Sequence, residues 1–140
     1  MRILVLGAGA LGGYFGGRLL EAGADVAFLV RPRRRAQLER DGLAIESPYG
    51  ALRRPVPLVS PGEAAPGWDV VLLACKAYDL EDAIAAVRPA VDARTAVLPV
   101  LNGVSHIEAL QRAFGAERVL GGIAKIQATL APDGTVRHLN

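Results

Sequence analysis

Three glycines near the start of the chain, Gly7, Gly9 and Gly12, stand in the spacing G-x-G-x-x-G. Each has a separate physical use. Gly7 allows a tight strand-to-helix turn, Gly9 lets the backbone approach a pyrophosphate, and Gly12 lets the helix lie close to the strand. The loop they frame, Gly7-Ala8-Gly9-Ala10-Leu11-Gly12, then presents backbone amides at a helix start, where the helix dipole favours negative charge. The spacing alone is weak, because a glycine-rich turn can simply join two elements. The flanking sequence supplies the context that the motif needs. Ile3 to Leu6 is an apolar run suited to a buried parallel strand. A helical pattern follows through Leu11, Phe15, Leu19 and Leu20, and Gly23 stops it at the C′ position.

The second group with chemistry is basic. Val26 to Val30 reads as the next strand, which completes a β-α-β unit with a right-handed crossover. Dinucleotide binders that use NAD place Asp or Glu at this strand end to hold the ribose 2′-hydroxyl. Here the chain has Arg31, Pro32, Arg33, Arg34 and Arg35, with no carboxylate before Glu39. A guanidinium forks onto phosphate oxygens and stacks on adenine. The pattern therefore points to NADP(H) rather than NAD(H), with Arg31 as the first ligand and Arg33, Arg34 and Arg35 in reserve. A solvated basic helix start would account for one or two of these arginines, but it leaves the missing carboxylate unexplained.

Two later strand ends add candidates, since parallel sheets bind ligands at the carboxyl ends of their strands. Asp69 to Ala74 leads into Cys75-Lys76-Ala77-Tyr78-Asp79, and Ala96 to Leu101 leads into Asn102-Gly103-Val104-Ser105. On residue type alone Lys76 is a solvated charge and Asn102-Gly103 a turn. Cys75 reads as a buried core thiol, and His106 as a surface residue of a helical first turn. No spacing suggests a metal site.

The elements that must hold these residues follow from punctuation and periodicity. Pro32 opens a short helix to Asp41, closed by Gly42. Leu43–Glu46 and Ala51–Val59 read as two strands around Ser47-Pro48-Tyr49-Gly50, an antiparallel excursion from the β-α repeat. Leu80 to Val87 is a helix ended by Pro89. Ser105 and Glu108 form a capping box for a helix through Phe114, stopped by Gly115. Val119 to Ile126 reads as a strand that Gln127 to Leu130 extends, and Thr135 to Leu139 returns after a turn at residues 131–134. The expected fold class is α/β: one domain over residues 1–140, Rossmann-type and doubly wound, with a mostly parallel sheet.

Composition narrows the partners. The chain has 140 residues, 51% of them hydrophobic, and a formal charge of +2. That charge is too small to argue for nucleic acid or a membrane surface, and no apolar run is long enough for a membrane span. A single cysteine fits a reducing cytoplasm.

Taken together, ILVLGAGALGGYFGGRL, Arg31, CKAYD, LNGV and GGIAKIQATL resemble, in order and over the whole chain, the 2-dehydropantoate 2-reductase (ketopantoate reductase) family. The resemblance implies NADPH-dependent reduction of a small keto acid, 2-dehydropantoate, to pantoate, on the route to pantothenate and coenzyme A. It implies that Lys76 contacts the cofactor near the nicotinamide ribose, that Asn102 contacts both cofactor and substrate, and that the Ala128 backbone borders the cofactor. The family also has a second, mostly helical domain, which carries the general-acid lysine and the substrate-holding residues. Lys125 does not match that lysine, so no catalytic residue is expected in this chain. The expectation is the cofactor-binding half of a longer enzyme, which binds without appreciable turnover. Self-association is expected from a chain that ends inside a strand pattern. Two alternatives stand beside this reading: another NADP-linked keto acid or imine reductase, and a non-catalytic dinucleotide-binding module.

Overall fold

A computed structural model describes residues 1–76, 79–100 and 105–140. In chain order the elements are β1 (Arg2–Leu6), α1 (Ala10–Glu21), β2 (Asp25–Leu29), α2 (Pro32–Asp41), β3 (Leu43–Glu46), β4 (Leu52–Arg54), β5 (Leu58–Val59), β6 (Val70–Leu73), α3 (Leu80–Val87), a 3-10 turn (Arg88–Ala90), β7 (Ala96–Pro99), α4 (Ser105–Phe114), β8 (Ala128–Leu130) and β9 (Val136–His138). Among the described residues no helix is long and apolar enough to cross a membrane.

Five strands form one parallel sheet in the order β5-β2-β1-β6-β7. Alternation along β1 divides its side chains between two cores. Ile3 and Val5 join Val26, Phe28 and Tyr14 on the α1 side. Leu4 joins Leu29, Leu73, Val87 and Leu110 on the side of α3 and α4. Burial on both faces is what near-continuous apolar strands require, and each full burial contributes roughly 1.5–3 kcal/mol. Leu6 pairs with Leu29 on one side and Leu73 on the other, so three strand ends lie level. The chain moves from β1 to β2 and β5, then returns to β6 on the far side of β1. That reversal places a crevice above the end of β1.

The antiparallel excursion is part of a second sheet, ordered β4-β3-β9-β8. β3 pairs antiparallel with β4 and parallel with β9, and β8 pairs antiparallel with β9. Helix α1 lies between the two sheets. Its buried residues are Gly12, Gly13, Tyr14, Gly16 and Gly17, while Leu11, Phe15, Leu19 and Leu20 are only partly covered. The apolar spacing in the sequence therefore marks the flanks of the buried face rather than its centre. The end of α1 is as expected. Gly23 (φ 95°) donates to Leu20 O and Ala24 donates to Leu19 O, the paired bonds of a Schellman cap.

Three expectations change. The run Ala51–Val59 is two short strands in different sheets, β4 and β5, because Pro55 and Pro57 offer no N–H to a continuous ladder. Val119 to Ile126 is not a strand. Val119 makes one bridge with Val97, after which Gly121 and Gly122 carry the chain to β8 without regular structure. Adjacent glycines give a strand no side chains to pack. His106 is 4% exposed, not a surface residue. It lies one turn before the fully buried Leu110 and shares its helix face. Residues 101–104, including Asn102, and residues 77–78 lie outside the described residues.

Candidate functional site

The level strand ends bring the glycine loop, Arg31 and Lys76 to one rim. A cleft of about 960 Å³ is lined by the loop at residues 7–11, Arg31, Lys76 and Ala128. Its size falls in the usual range for cofactor sites, roughly 300–1,000 Å³. Gly12 stands behind the loop and does not line the cleft. Among the described residues, no group of three His, Cys, Asp or Glu side chains could hold a metal ion.

The loop is built by its glycines. Gly7 takes φ 89° and donates to Leu29 O at 3.0 Å, which ties the turn to β2. Gly9 caps α1 through its backbone alone, and the first intrahelical bond runs from Gly13 N–H to Gly9 O at 2.8 Å. The amides of Ala10, Leu11 and Gly12 therefore precede the helical ladder. A Cβ on Gly9 would meet nothing within 4 Å. On Gly12 it would collide with the Gly7 carbonyl and press on the Ala74 side chain. An open backbone surface at Gly9, with unladdered amides beside it, fits the pyrophosphate of a dinucleotide.

The arginine run divides by helical phase. Arg31 precedes α2, is exposed, and faces the cleft with Nη2 3.5 Å from Asp79 Oδ1. Arg34 is part-buried. Its Nε and Nη2 donate to Ala8 O at 3.0 and 2.7 Å, and its Nη1 donates to Gln37 Oε1 and Gly134 O. Burial pushes its guanidinium below the usual arginine range. Arg35 turns away, to Glu39 at 2.7 Å and Ser60 at 2.9 Å. Arg33 is exposed and does not line the cleft. Of the four candidates, Arg31 alone combines exposure with a place on the cleft.

Lys76 is exposed at the rim and has no ion pair among the described residues. Cys75, expected in the core, is only half-buried and borders the cleft. Burial pushes its thiol above the usual value, with the Asp79 carboxylate adding to the effect. A thiol held protonated is a poor nucleophile.

Sequence reasoning passed over three cleft residues. Asp79, paired with Arg31, and Asp82 add carboxylates to the lining, and Gln127 stands next to Ala128. Asp79 was visible at the end of the CKAYD segment. The structural role of Arg34 was visible in its spacing from Leu38, one turn on and 3% exposed.

This architecture, a parallel sheet with a glycine loop at its reversal point and helices on both faces, defines a doubly wound, Rossmann-type α/β domain. The chain belongs to the family described as ketopantoate reductase PanE/ApbA, whose model matches residues 3–140. It is 45% identical over 138 residues to a Bacillus subtilis protein named uncharacterized oxidoreductase YkpB, covering 99% of this chain and 45% of that protein. A crystal structure of 2-dehydropantoate 2-reductase from Geobacter metallireducens superposes with a TM-score of 0.92 at 37% identity, covering 100% of this chain and 46% of that one. The ternary structure of a D-mandelate dehydrogenase with NADH and anilino(oxo)acetate superposes with a TM-score of 0.91 at 26% identity, again over 100% of this chain and 46% of that one. The chain thus spans about half the length of the relatives it matches. The family is one of oxidoreductases.

Proposed function

We propose that this chain is the NADP(H)-binding half of a keto acid reductase whose substrate is 2-dehydropantoate. One observation carries the reading: the glycine loop, Arg31 and Lys76, far apart in sequence, line one cleft at the carboxyl rim of the parallel sheet. The loop amides at Gly9, Ala10 and Leu11 hold the pyrophosphate. Arg31 holds the 2′-phosphate. By the family resemblance, Lys76 and Asn102 bind the nicotinamide end, Asn102 also contributes to substrate binding, and the Ala128 backbone borders the cofactor.

The dinucleotide supplies hydride to the keto carbon when bound. The residues of this chain bind it, orient it and cover one side of the site. The proton for the carbonyl oxygen comes from a lysine that the family resemblance places in a second domain. A positioned general acid is worth about 10²–10⁴ in rate. The 140 residues alone therefore bind cofactor without appreciable turnover. The spans of 45% and 46% of two relatives support reading this chain as one half of a two-domain enzyme. The single cysteine supports a reducing cytoplasm as its place of work.

A second reading has its own support. Asp79 sits beside Arg31, where a carboxylate opposes a 2′-phosphate, and a close structural neighbour is a D-mandelate dehydrogenase with NADH. On that reading the enzyme is an NADH-linked 2-keto acid reductase.

Calorimetric titration of the chain with NADPH and NADH separates the two. Tighter binding of NADPH, with the preference lost in Arg31→Ala, is the expected result. A preference for NADH favours the second reading. Equal binding of both moves the 2′-phosphate role away from Arg31. Measurable reduction of 2-dehydropantoate by the chain alone contradicts the assignment of the general acid elsewhere.

A further inference from the structure

The peptide joining Ala8 to Gly9 is the middle of the glycine loop. A trans peptide is planar, so its C=O and N–H point in opposite directions. Whatever holds the Ala8 carbonyl therefore aims the Gly9 amide. Ala8 is 2% exposed, and its carbonyl accepts two hydrogen bonds from one guanidinium, at 3.0 and 2.7 Å from Nε and Nη2 of Arg34. The third nitrogen of Arg34 is anchored on Gln37 Oε1 and on Gly134 O, in the turn between β8 and β9. This one side chain ties the loop to α2 and to the second sheet.

Arg34 is also part-buried and without an ion pair among the described residues. Arg31, Arg35, Arg40 and Arg118 each have a carboxylate within 4.0 Å. Arg34, the most enclosed of the α2 arginines, donates only to neutral oxygens and has no carboxylate within 4.0 Å among the described residues, although Asp41 and Asp133 line the same small pocket. A part-buried cation without a counter-ion is costly, and an anion placed nearby lowers that cost. Hydrogen bonding to the Ala8 carbonyl also polarises the peptide and strengthens its N–H as a donor, since linked hydrogen bonds reinforce one another.

We propose that Arg34 is a positioning residue that holds the Ala8–Gly9 peptide with its amide set for an anion and lends that amide its charge through the peptide group. It does not touch the 2′-phosphate. The inference rests on the dinucleotide reading of the cleft. It assigns two arginines of one run to different ends of the same ligand: Arg31 to the ribose phosphate, and Arg34, acting through the loop, to the pyrophosphate.

The test is calorimetric titration of the chain, Arg34→Gln and Arg34→Lys with NADPH and with NADH. Loss of a charge-assisted hydrogen bond weakens binding by about tenfold or more. Arg34→Gln is expected to lose that factor for both cofactors, leaving their affinity ratio unchanged. Arg34→Lys keeps the charge but lacks the fork, so it recovers only part of the loss. A variant that merely unfolds shows fewer binding sites with an unchanged Kd, so Kd and stoichiometry are read separately. Weakening confined to NADPH overturns the proposal, because it makes Arg34 a direct phosphate ligand. Parent-like Kd values in Arg34→Gln overturn it while leaving the dinucleotide reading intact. A parent chain that binds neither cofactor overturns both.

Discussion

The start and the middle of α1 are both rich in glycine, and they use it in opposite ways. At the N-terminal end, Gly9 leaves space: a Cβ there would meet nothing within 4 Å. In the middle of the helix the space is already taken. A Cβ on Gly16 would lie 2.5 Å from the Phe28 ring, and on Gly17 it would lie 2.6 Å from Ile45 Cδ1. Phe28 belongs to the parallel sheet and Ile45 to the second sheet, so the helix is squeezed from both sides. Gly12 belongs to both regimes, because it packs against the loop that it helps to shape. The same residue type thus makes room for a ligand at one end and allows close packing of protein about two turns later. Only the three-dimensional surroundings distinguish the two uses.

That difference predicts how substitutions divide. Gly12→Ala drives a Cβ into the Gly7 carbonyl, a backbone atom that cannot swing away. It is expected to cost more than about 3 kcal/mol in denaturant unfolding and to abolish cofactor binding. Gly16→Ala meets a ring that is fully buried, so overpacking costs about 1–3 kcal/mol, offset in part by the better helix propensity of alanine. Its Kd for dinucleotide should stay at the parent value. A Gly16→Ala chain as stable as the parent would show that α1 has slack between the sheets.

Gly9→Ala should do the reverse. With φ −80° and open space around it, the site tolerates a methyl group, and stability should change by no more than about 0.5 kcal/mol. Cofactor affinity should fall at least about tenfold, because the methyl occupies the approach of the pyrophosphate. Unchanged affinity would remove the ligand from the loop.

The smallest effect concerns Cys75. Burial raises its thiol pKa, so thiolate is scarce at neutral pH and appears only as the pH climbs past the ordinary cysteine range. Alkylation followed by mass spectrometry should be slow at pH 7, faster at high pH, and slowed by saturating dinucleotide because Cys75 borders the cleft. Lack of protection by the cofactor would separate Cys75 from the bound ligand.

Local signals in the sequence were read well. Pro32 and Gly42 bracket α2, and the run Leu80–Val87 is the observed α3. The glycine motif was legible because its flanks, strand and helix, were both strong. What was not legible depends on distance along the chain. The second sheet hinges on Ile45 pairing with Val136, and no local pattern announces a partner that remote. The inner face of α1 was missed because a search for buried faces looks for bulk, and here the buried residues are mostly glycines. Arg34 was placed with the ligand arginines by residue type, although its helical phase with Leu38 turns it inward. Of the cleft lining, the loop and Arg31 were readable from residue order. The Arg31–Asp79 pair was not, since it joins the ends of two strands that lie on opposite sides of β1.

The most direct measurement is an amide NMR titration of the 14.7 kDa chain with NADPH. The account predicts the largest shifts at Gly9, Ala10 and Leu11, accompanying shifts at Arg31, Lys76 and Ala128, and little change at Gly16 and Gly17. Shifts centred elsewhere, or none at saturating NADPH, would contradict it.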